Sequence, residues 1–148
     1  MKSSYKTWVS GDSEVFPWQL LGEWDLDYFP WPWTLKDWQE LSVSPRRYFL
    51  AWHDEAGFAL WELDGSPAAY LLKILVRPQN RGNGHARELM SLSEEWLTEQ
   101  GFDLGLLEVQ WDNASAIALY ESLGWQKSRR IANFYRDGSD AFNMQKSF

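Results

Sequence analysis

The sequence predicts an α/β domain, a mixed sheet with helices on both of its faces, and three observations predict it. Two apolar runs, "AYLLKILV" and "LGLLEVQW", read as strands buried on both faces. Between them a glycine-rich turn leads into apolar residues at helical spacing, making a βαβ-like unit of the kind that binds ligands at its strand ends. Hairpin patterns stand on either side of that unit. A chain of 148 residues can bury one proper core, so a single domain over residues 1–148 is expected.

The elements follow in order. "YKTWVS" alternates and reads as a first strand. Residues 13–38 are expected to be helical in pieces, broken at "YFPWPWT", where two prolines force extended backbone. Thr34 is placed to cap "LKDWQEL". "RRYFLAWHD" and "GFALWELDG" form a hairpin about the turn from Asp54 to Gly57. After the glycine loop, Ala86, Leu89, Ser93, Trp96 and Leu97 share one helical face until Gly101 ends the helix. The second apolar strand is followed by a short helix, "ASAIALYESL", which Asn113 opens and Gly124 closes. "QKSRRIANFYRDG" and "DAFNMQKSF" are expected to pair antiparallel about Asp137 and Gly138. The order is β-α-α-β-β-β-α-β-α-β-β.

Composition narrows the chemistry. With 45% hydrophobic and 24% charged residues the chain is an ordinary folded globule. Cysteine is absent, which excludes a disulfide framework, a thiolate nucleophile and a cysteine metal site. His53 and His85 are the two histidines, too few for a histidine-rich metal centre, so no metal is expected. "MKSSYKTWVSGDSEVF" lacks the apolar core of a signal peptide, and no apolar run is long enough to cross a membrane; a cytoplasmic protein with no membrane partner is expected. A net charge of −7 disfavours non-specific nucleic-acid binding and suits a cationic partner.

The stretch "VRPQNRGNGHAR", residues 76–87, departs from that acidity. A glycine turn between a strand and a helix leaves backbone N–H groups pointing outward at the positive end of the helix dipole, which makes an anion site. Arg77, Arg81 and Arg87 can add charge-assisted hydrogen bonds to a pyrophosphate. No Gly-Lys-Ser/Thr ending follows, so this is not a P-loop, and Arg87 stands where a dinucleotide fingerprint needs a third Gly or Ala.

What remains resembles the acetyl-CoA loop of the GNAT superfamily of N-acetyltransferases, whose core pattern Arg/Gln-x-x-Gly-x-Gly/Ala is met by Arg81, Gly84 and Ala86. "LEVQWDNASAIALYESLGW" is similar to the corresponding segment of the RimI-type ribosomal-protein-alanine N-acetyltransferases. "RRIANFYRDGSDAFNM" continues the likeness, and "WPWTLKDW" is a looser echo of an N-terminal Phe-Pro-Trp-Ser element. The resemblance implies a mostly antiparallel sheet with one parallel strand pair splayed around the acetyl-CoA co-substrate. It implies that Ile74, Leu75 and Val76 offer strand-edge groups to the pantetheine arm, that Arg81, Gly82, Asn83, Gly84, His85, Ala86 and Arg87 wrap the pyrophosphate, and that Asn113 bonds the co-substrate from the opposite side. Glu108 matches the family's proton acceptor and Tyr120 its proton donor. Two departures bear on the acceptor: Ala68 stands where relatives often carry an acid, and Trp111 is bulky where many have a small residue.

The chemistry needs such residues. An amine attacks a thioester only when neutral; near pH 7.4 a lysine is neutral roughly one part in a thousand and an α-amine about one part in three. A carboxylate working through a water suffices as base for the latter, and a phenol can protonate the leaving thiolate. Backbone N–H groups at Leu75 and Val76 are candidates for stabilising the developing oxyanion. Each residue also has a plainer reading. Glu108 could face solvent, Tyr120 could be core, and Asn113 or Asp112 could merely cap the helix.

The expected acceptor is a protein N-terminal α-amine, such as that of a ribosomal protein. A polyamine, an aminoglycoside or a lysine side chain is the alternative, and an acyl-CoA-binding sensor without catalysis is a third. "EWDLDYFPWPW" places Glu23, Asp25 and Asp27 beside Trp24, Tyr28, Phe29, Trp31 and Trp33, an acidic and aromatic surface suited to a cation.

Overall fold

The computed structural model describes residues 5–148; residues 1–4, where the segment read for a leader begins, lie outside the described residues. The elements appear in the expected order: β1 (Tyr5–Val9), α1 (Trp18–Tyr28), α2 (Leu35–Glu40), β2 (Arg47–His53), β3 (Gly57–Leu63), β4 (Ala68–Val76), α3 (His85–Glu99), β5 (Leu104–Gln110), α4 (Ala114–Ser122), β6 (Gln126–Ile131) and β7 (Ala141–Ser147). The seven strands form one sheet in the order β1-β2-β3-β4-β5-β7-β6. Every neighbouring pair is antiparallel except β4 and β5.

Alternation along the strands builds a core on each face. On one face Phe49, Ala51, Ala59, Trp61, Leu107 and Val109 meet Leu89, Met90 and Leu97 of α3 and Ile117 and Tyr120 of α4. On the other, Leu50, Phe58 and Leu60 meet Leu21 and Trp24 of α1 and Trp38 of α2. Thr34 caps α2 as expected: its hydroxyl accepts from the Asp37 amide while the Asp37 carboxylate accepts from the Thr34 amide.

Two expectations are corrected. The apolar runs of β4 and β5 are buried on alternate residues only, not on both faces throughout. The hairpin leading into β7 is shorter than expected, since β6 ends at Ile131. The backbone beyond it is held as a compact loop: the Asp140 carboxylate accepts from the Asn133 amide at 3.0 Å, and the Ser139 carbonyl accepts from the amides of Phe134 and Tyr135. Asn133 itself sits at φ 52°, which breaks the strand.

An opening between β4 and β5 has a definite origin. β4 and β5 are in register at three pairs, Ala68 with Leu104, Ala69 with Gly105 and Tyr70 with Leu106, and then diverge. Against β3, β4 carries an extra residue: Leu60 faces Lys73 and Trp61 faces Leu71, so Leu72 bulges. The bulge switches Lys73 to the α1 face of the sheet. There its ammonium donates to both Asp25 oxygens, at 2.8 and 2.9 Å, and lies 4.6 Å from the Phe29 ring centroid and 4.7 Å from that of Trp33. Asp25 is fully buried and also accepts from the Trp33 amide at 2.9 Å and the Trp38 indole at 2.8 Å. One carboxylate therefore ties α1, the loop after it, α2 and β4 together. Removing one member of such a pair strands the other charge in the core. Lys73→Met should lower the unfolding free energy by about 3–5 kcal/mol, read from urea denaturation.

Candidate active site

The opening between β4 and β5 continues into a cleft of about 340 Å³. Leu71 to Ile74 of β4 and Glu108 to Gln110 of β5 form its sides; Asn113, Ala116 and Tyr120 close one end, and Phe29, Pro30, Trp31 and Tyr135 cover it. A wider depression of about 610 Å³ is lined by Trp33, Asp37, Glu40 and Tyr48, but no strand there has an unpaired edge. Of the residues singled out in the sequence, Ile74, Glu108, Asn113 and Tyr120 meet in the smaller cleft, together with Phe29 and Trp31 of the acidic and aromatic stretch.

Backbone direction decides which groups of β4 the cleft can use. Arg77 N–H donates to the Ala56 carbonyl at 2.8 Å, and the Leu75 carbonyl lies so close to Gly57 that a Cβ there would stand 1.9 Å from it. Main-chain groups alternate sides along a strand, so Leu75 faces β3 while Ile74 and Val76 face the opening. Leu75 is thus the one of the three expected edge residues that points its polar backbone groups the wrong way. The Val76 carbonyl accepts from Arg81 Nε at 3.0 Å, which braces the loop against the strand.

Beyond Val76 the chain makes a 3-10 turn at residues 78–80 and then the glycine loop. Gly82 and Gly84 adopt φ of 81° and 79°, the left-handed region that glycine enters at no steric expense. Neither has a heavy atom within 4 Å of where a Cβ would stand. Among the described residues, the amides of Gly82, Asn83, Gly84, His85, Ala86 and Arg87 donate to no protein acceptor. They form a row of donors running into the N-terminus of α3. This donor set fits a pyrophosphate.

The side chains of the loop are used differently from expectation. Arg77 donates to the Glu55 carbonyl at 2.9 Å and lies over Trp24, away from the amide row. Arg87 donates to Ser122 Oγ at 3.0 Å, joining the start of α3 to the end of α4. Asn83 Nδ2 reaches the Asn80 carbonyl at 3.4 Å. His85 turns toward the sheet, with Nδ1 2.6 Å from the Tyr5 hydroxyl and its ring edge-on to His53. Asn113 caps α4, accepting from the Ala116 amide at 3.3 Å, and lines one end of the cleft.

Glu108 is half-buried, and its Oε2 accepts from Asn143 Nδ2 at 2.8 Å. Burial raises its pKa above the ordinary glutamate value, opposed by the Asn143 hydrogen bond and the charge of Arg129. Tyr120 is buried in the α4 core, and desolvation pushes its pKa far up, so it stays a protonated phenol. Tyr135 is pushed up to about 12, first by burial and then by the charge of Glu108. Its ring stacks on Trp31 with centroids 5.5 Å apart and planes 16° apart, bridging the cleft from the loop after α1 to the loop after β6.

Sequence reasoning passed over Tyr135, Lys73 and Asn143. A lone lysine within "AYLLKILV" and a lone asparagine within "AFNM" were visible signals, since each is polar at a strand position. The acidic surface assigned to "EWDLDYFPWPW" is also corrected: Asp25 is taken up by Lys73, Trp33 and Trp38, and Glu23 and Asp27 are exposed outside the cleft lining. Trp111 is exposed, lies under the Arg130 guanidinium at 4.9 Å and leaves the cleft unobstructed.

The likenesses agree with this geometry. N-alpha-acetyltransferase MAK3 of Arabidopsis thaliana is 33% identical over 79 residues, covering 53% of this chain and 42% of its own length. The chain spans about half the length of the curated relatives it matches. The crystal structure of the ribosomal-protein-S18-alanine N-acetyltransferase from Escherichia coli superposes with a TM-score of 0.78 at 27% identity, covering 96% of this chain and 94% of that one. Nourseothricin acetyltransferase is 31% identical with a TM-score of 0.61, covering 71% of this chain and 66% of that one. The model of the acetyltransferase (GNAT) family matches residues 18–125. With the splayed parallel pair, the glycine loop and the family match in agreement, this chain belongs to the GNAT acetyltransferase family.

Proposed function

We propose that the chain transfers the acetyl group of acetyl-CoA to a primary amine, and that the acceptor is the N-terminal α-amine of a polypeptide. The observation that carries this reading is the parting of β4 and β5. It leaves the Ile74 and Val76 backbone edge open beside Glu108 and leads to a row of unpaired amides at Gly82 to Arg87. An extended thioester arm suits the edge, and its pyrophosphate suits the amides.

The reaction forms a C–N bond and breaks a C–S bond, with one proton leaving the amine and one joining the thiolate. Glu108, in its carboxylate form, accepts the amine's proton, directly or through a water. Tyr120, held protonated by its burial, donates to the departing sulfur. Ile74 and Val76 N–H groups face the opening and can stabilise negative charge on the thioester oxygen.

The acceptor reading rests on charge. Among the cleft-lining residues Glu108 is the one carboxylate, and the nearby Asp25 is neutralised by Lys73. A site with one acid and covering aromatic rings suits one amine on an otherwise uncharged chain end better than a polycation. The likeness to the E. coli ribosomal-protein-alanine enzyme supports a protein acceptor. The likeness to nourseothricin acetyltransferase supports a second reading, a small amine.

Thiol release from acetyl-CoA, measured against a panel of N-terminal peptides and a panel of polyamines and aminoglycosides, decides between them. Peptides are expected to turn over with kcat/KM at least tenfold higher; the reverse order assigns the small-amine reading. Glu108→Gln should lower kcat by roughly 10²-fold or more. Gly82→Val, which needs a positive φ a branched side chain rarely adopts, should raise the KM for acetyl-CoA about tenfold while leaving the fold intact.

A further inference from the structure

Glu108 is one end of a row of polar side chains crossing the sheet toward its outer edge. In the register of β5 with β7, Glu108 stands opposite Asn143, and in that of β6 with β7, Arg129 stands opposite Asn143. Cross-strand partners share a face, so the three side chains line up on the cleft side of the sheet. β6 is irregular between Lys127 and Arg129, where Ser128 is the extra residue. That irregularity lets both Ser128 and Arg129 approach the same asparagine.

The orientation of the asparagine follows from its partners. Oδ1 accepts from Ser128 Oγ at 2.5 Å and from Gln145 Nε2 at 3.3 Å. Nδ2 donates to Glu108 Oε2 at 2.8 Å and more weakly to the Leu107 carbonyl at 3.4 Å. Turned the other way, Oδ1 would face the Glu108 carboxylate and the Leu107 carbonyl, two acceptors with no proton to give. The network thus permits one orientation, and in it an N–H is aimed at the carboxylate while Oε1 is left for the cleft.

We infer that Asn143 is the positioning residue for the Glu108 carboxylate, with Ser128 locking the amide so that a hydrogen bond always meets Oε2. This rests on the reading of Glu108 as the base. Without such a bond a half-buried acid holds its proton to higher pH, and a protonated acid cannot take the amine's proton. Arg129 supports the same end by its charge.

The groups around Glu108 make its titration legible. From the loops come Tyr135 and the uncharged Phe29, Pro30 and Trp31; β4 contributes Lys73, tied to Asp25; α4 contributes Tyr120; β6 contributes Arg129. Neither tyrosine ionises in the acid range, because burial raises both. The carboxylate of Glu108 is therefore the cleft-lining group whose protonation shapes the acid limb of the rate profile, on top of the acceptor amine's own ionisation, which is the same for every variant. Asn143 favours the charged form, so its loss raises the Glu108 pKa further, and activity falls away at a higher pH than before.

The test is the pH dependence of kcat/KM with the best acceptor from the panel, together with a carbon-13 NMR titration of the Glu108 side-chain carboxyl. Asn143→Ala is expected to move the acid limb and the carboxyl titration up by about one pH unit. The KM for acetyl-CoA, whose donor row at Gly82 to Arg87 does not involve Asn143, should change less than threefold. Ser128→Ala should shift both in the same direction by a smaller amount, and it serves as the variant of record where Asn143→Ala does not fold. Asn143→Ser, which keeps a donor, should recover part of the shift. A folded Asn143→Ala protein with an unmoved carboxyl titration overturns the inference. Full turnover by Glu108→Gln overturns the base assignment instead, and the carboxyl titration then judges the Asn143 hold separately.

Discussion

β4 and β5 run side by side for three residue pairs and then part, and the whole site follows from that divergence. Had the ladder continued, the edges of residues 71–76 and 107–110 would have satisfied one another, and the sheet would have closed over its own centre. Unpaired strand edges inside a domain are unfavourable unless something completes them. Here the edge of Ile74 and Val76 is half-buried beside the opening, and under the proposed reading an extended thioester arm completes it. The bulge at Leu72 fits the same account. It redirects β4 just past the last parallel pair and turns Lys73 through the sheet.

Lys73 explains why the opening has a roof. A lysine buried beside apolar rings is costly unless paired, and Asp25 supplies the pair from α1. Asp25 in turn holds the Trp33 amide, which fixes the proline-broken loop where Phe29, Pro30 and Trp31 cover the cleft. Trp31 then meets Tyr135 from the far loop. The chain from bulge to lysine to aspartate to loop couples the strand that would receive the thioester to the surface that would receive the amine. A buried ion pair gives little net stability relative to apolar packing, but it tolerates one arrangement only, and a cleft partly covered by loops gains from that restriction.

Much of this was legible before any coordinates. Apolar runs, proline breaks and caps set the element order, because they are local signals, and the glycine loop was readable because left-handed backbone and outward amides need particular residues. What escaped reading depends on partners distant in sequence. Lys73 stood out as a charge in an apolar run, yet nothing local says that Asp25, 48 positions earlier, neutralises it. For the same reason Asp25 was read as part of an acceptor-facing acidic surface. The end of β6 was misplaced because the residues after Ile131 keep strand-like composition while the Asp140 carboxylate and the Ser139 carbonyl capture their amides. Asn143 was invisible as a partner of Glu108 until the register of β5 and β7 was known.

The distribution of charge around the cleft is more telling than the total. A net charge of −7 suggests attraction of cations in general, but the acids of α1 lie outside the opening or are already neutralised. Inside, a single carboxylate faces the space between the strands, with the charge of Arg129 acting on it and aromatic rings over it, while Lys73 and Asp25 neutralise each other. Each added positive charge on an acceptor would find no second unpaired anion lining the cleft. An acceptor with one ionisable amine loses its charge on giving up a proton to Glu108 and leaves nothing unpaired behind. Under the proposed reading, the scarcity of acid in this cleft is what favours a chain terminus over a polyamine.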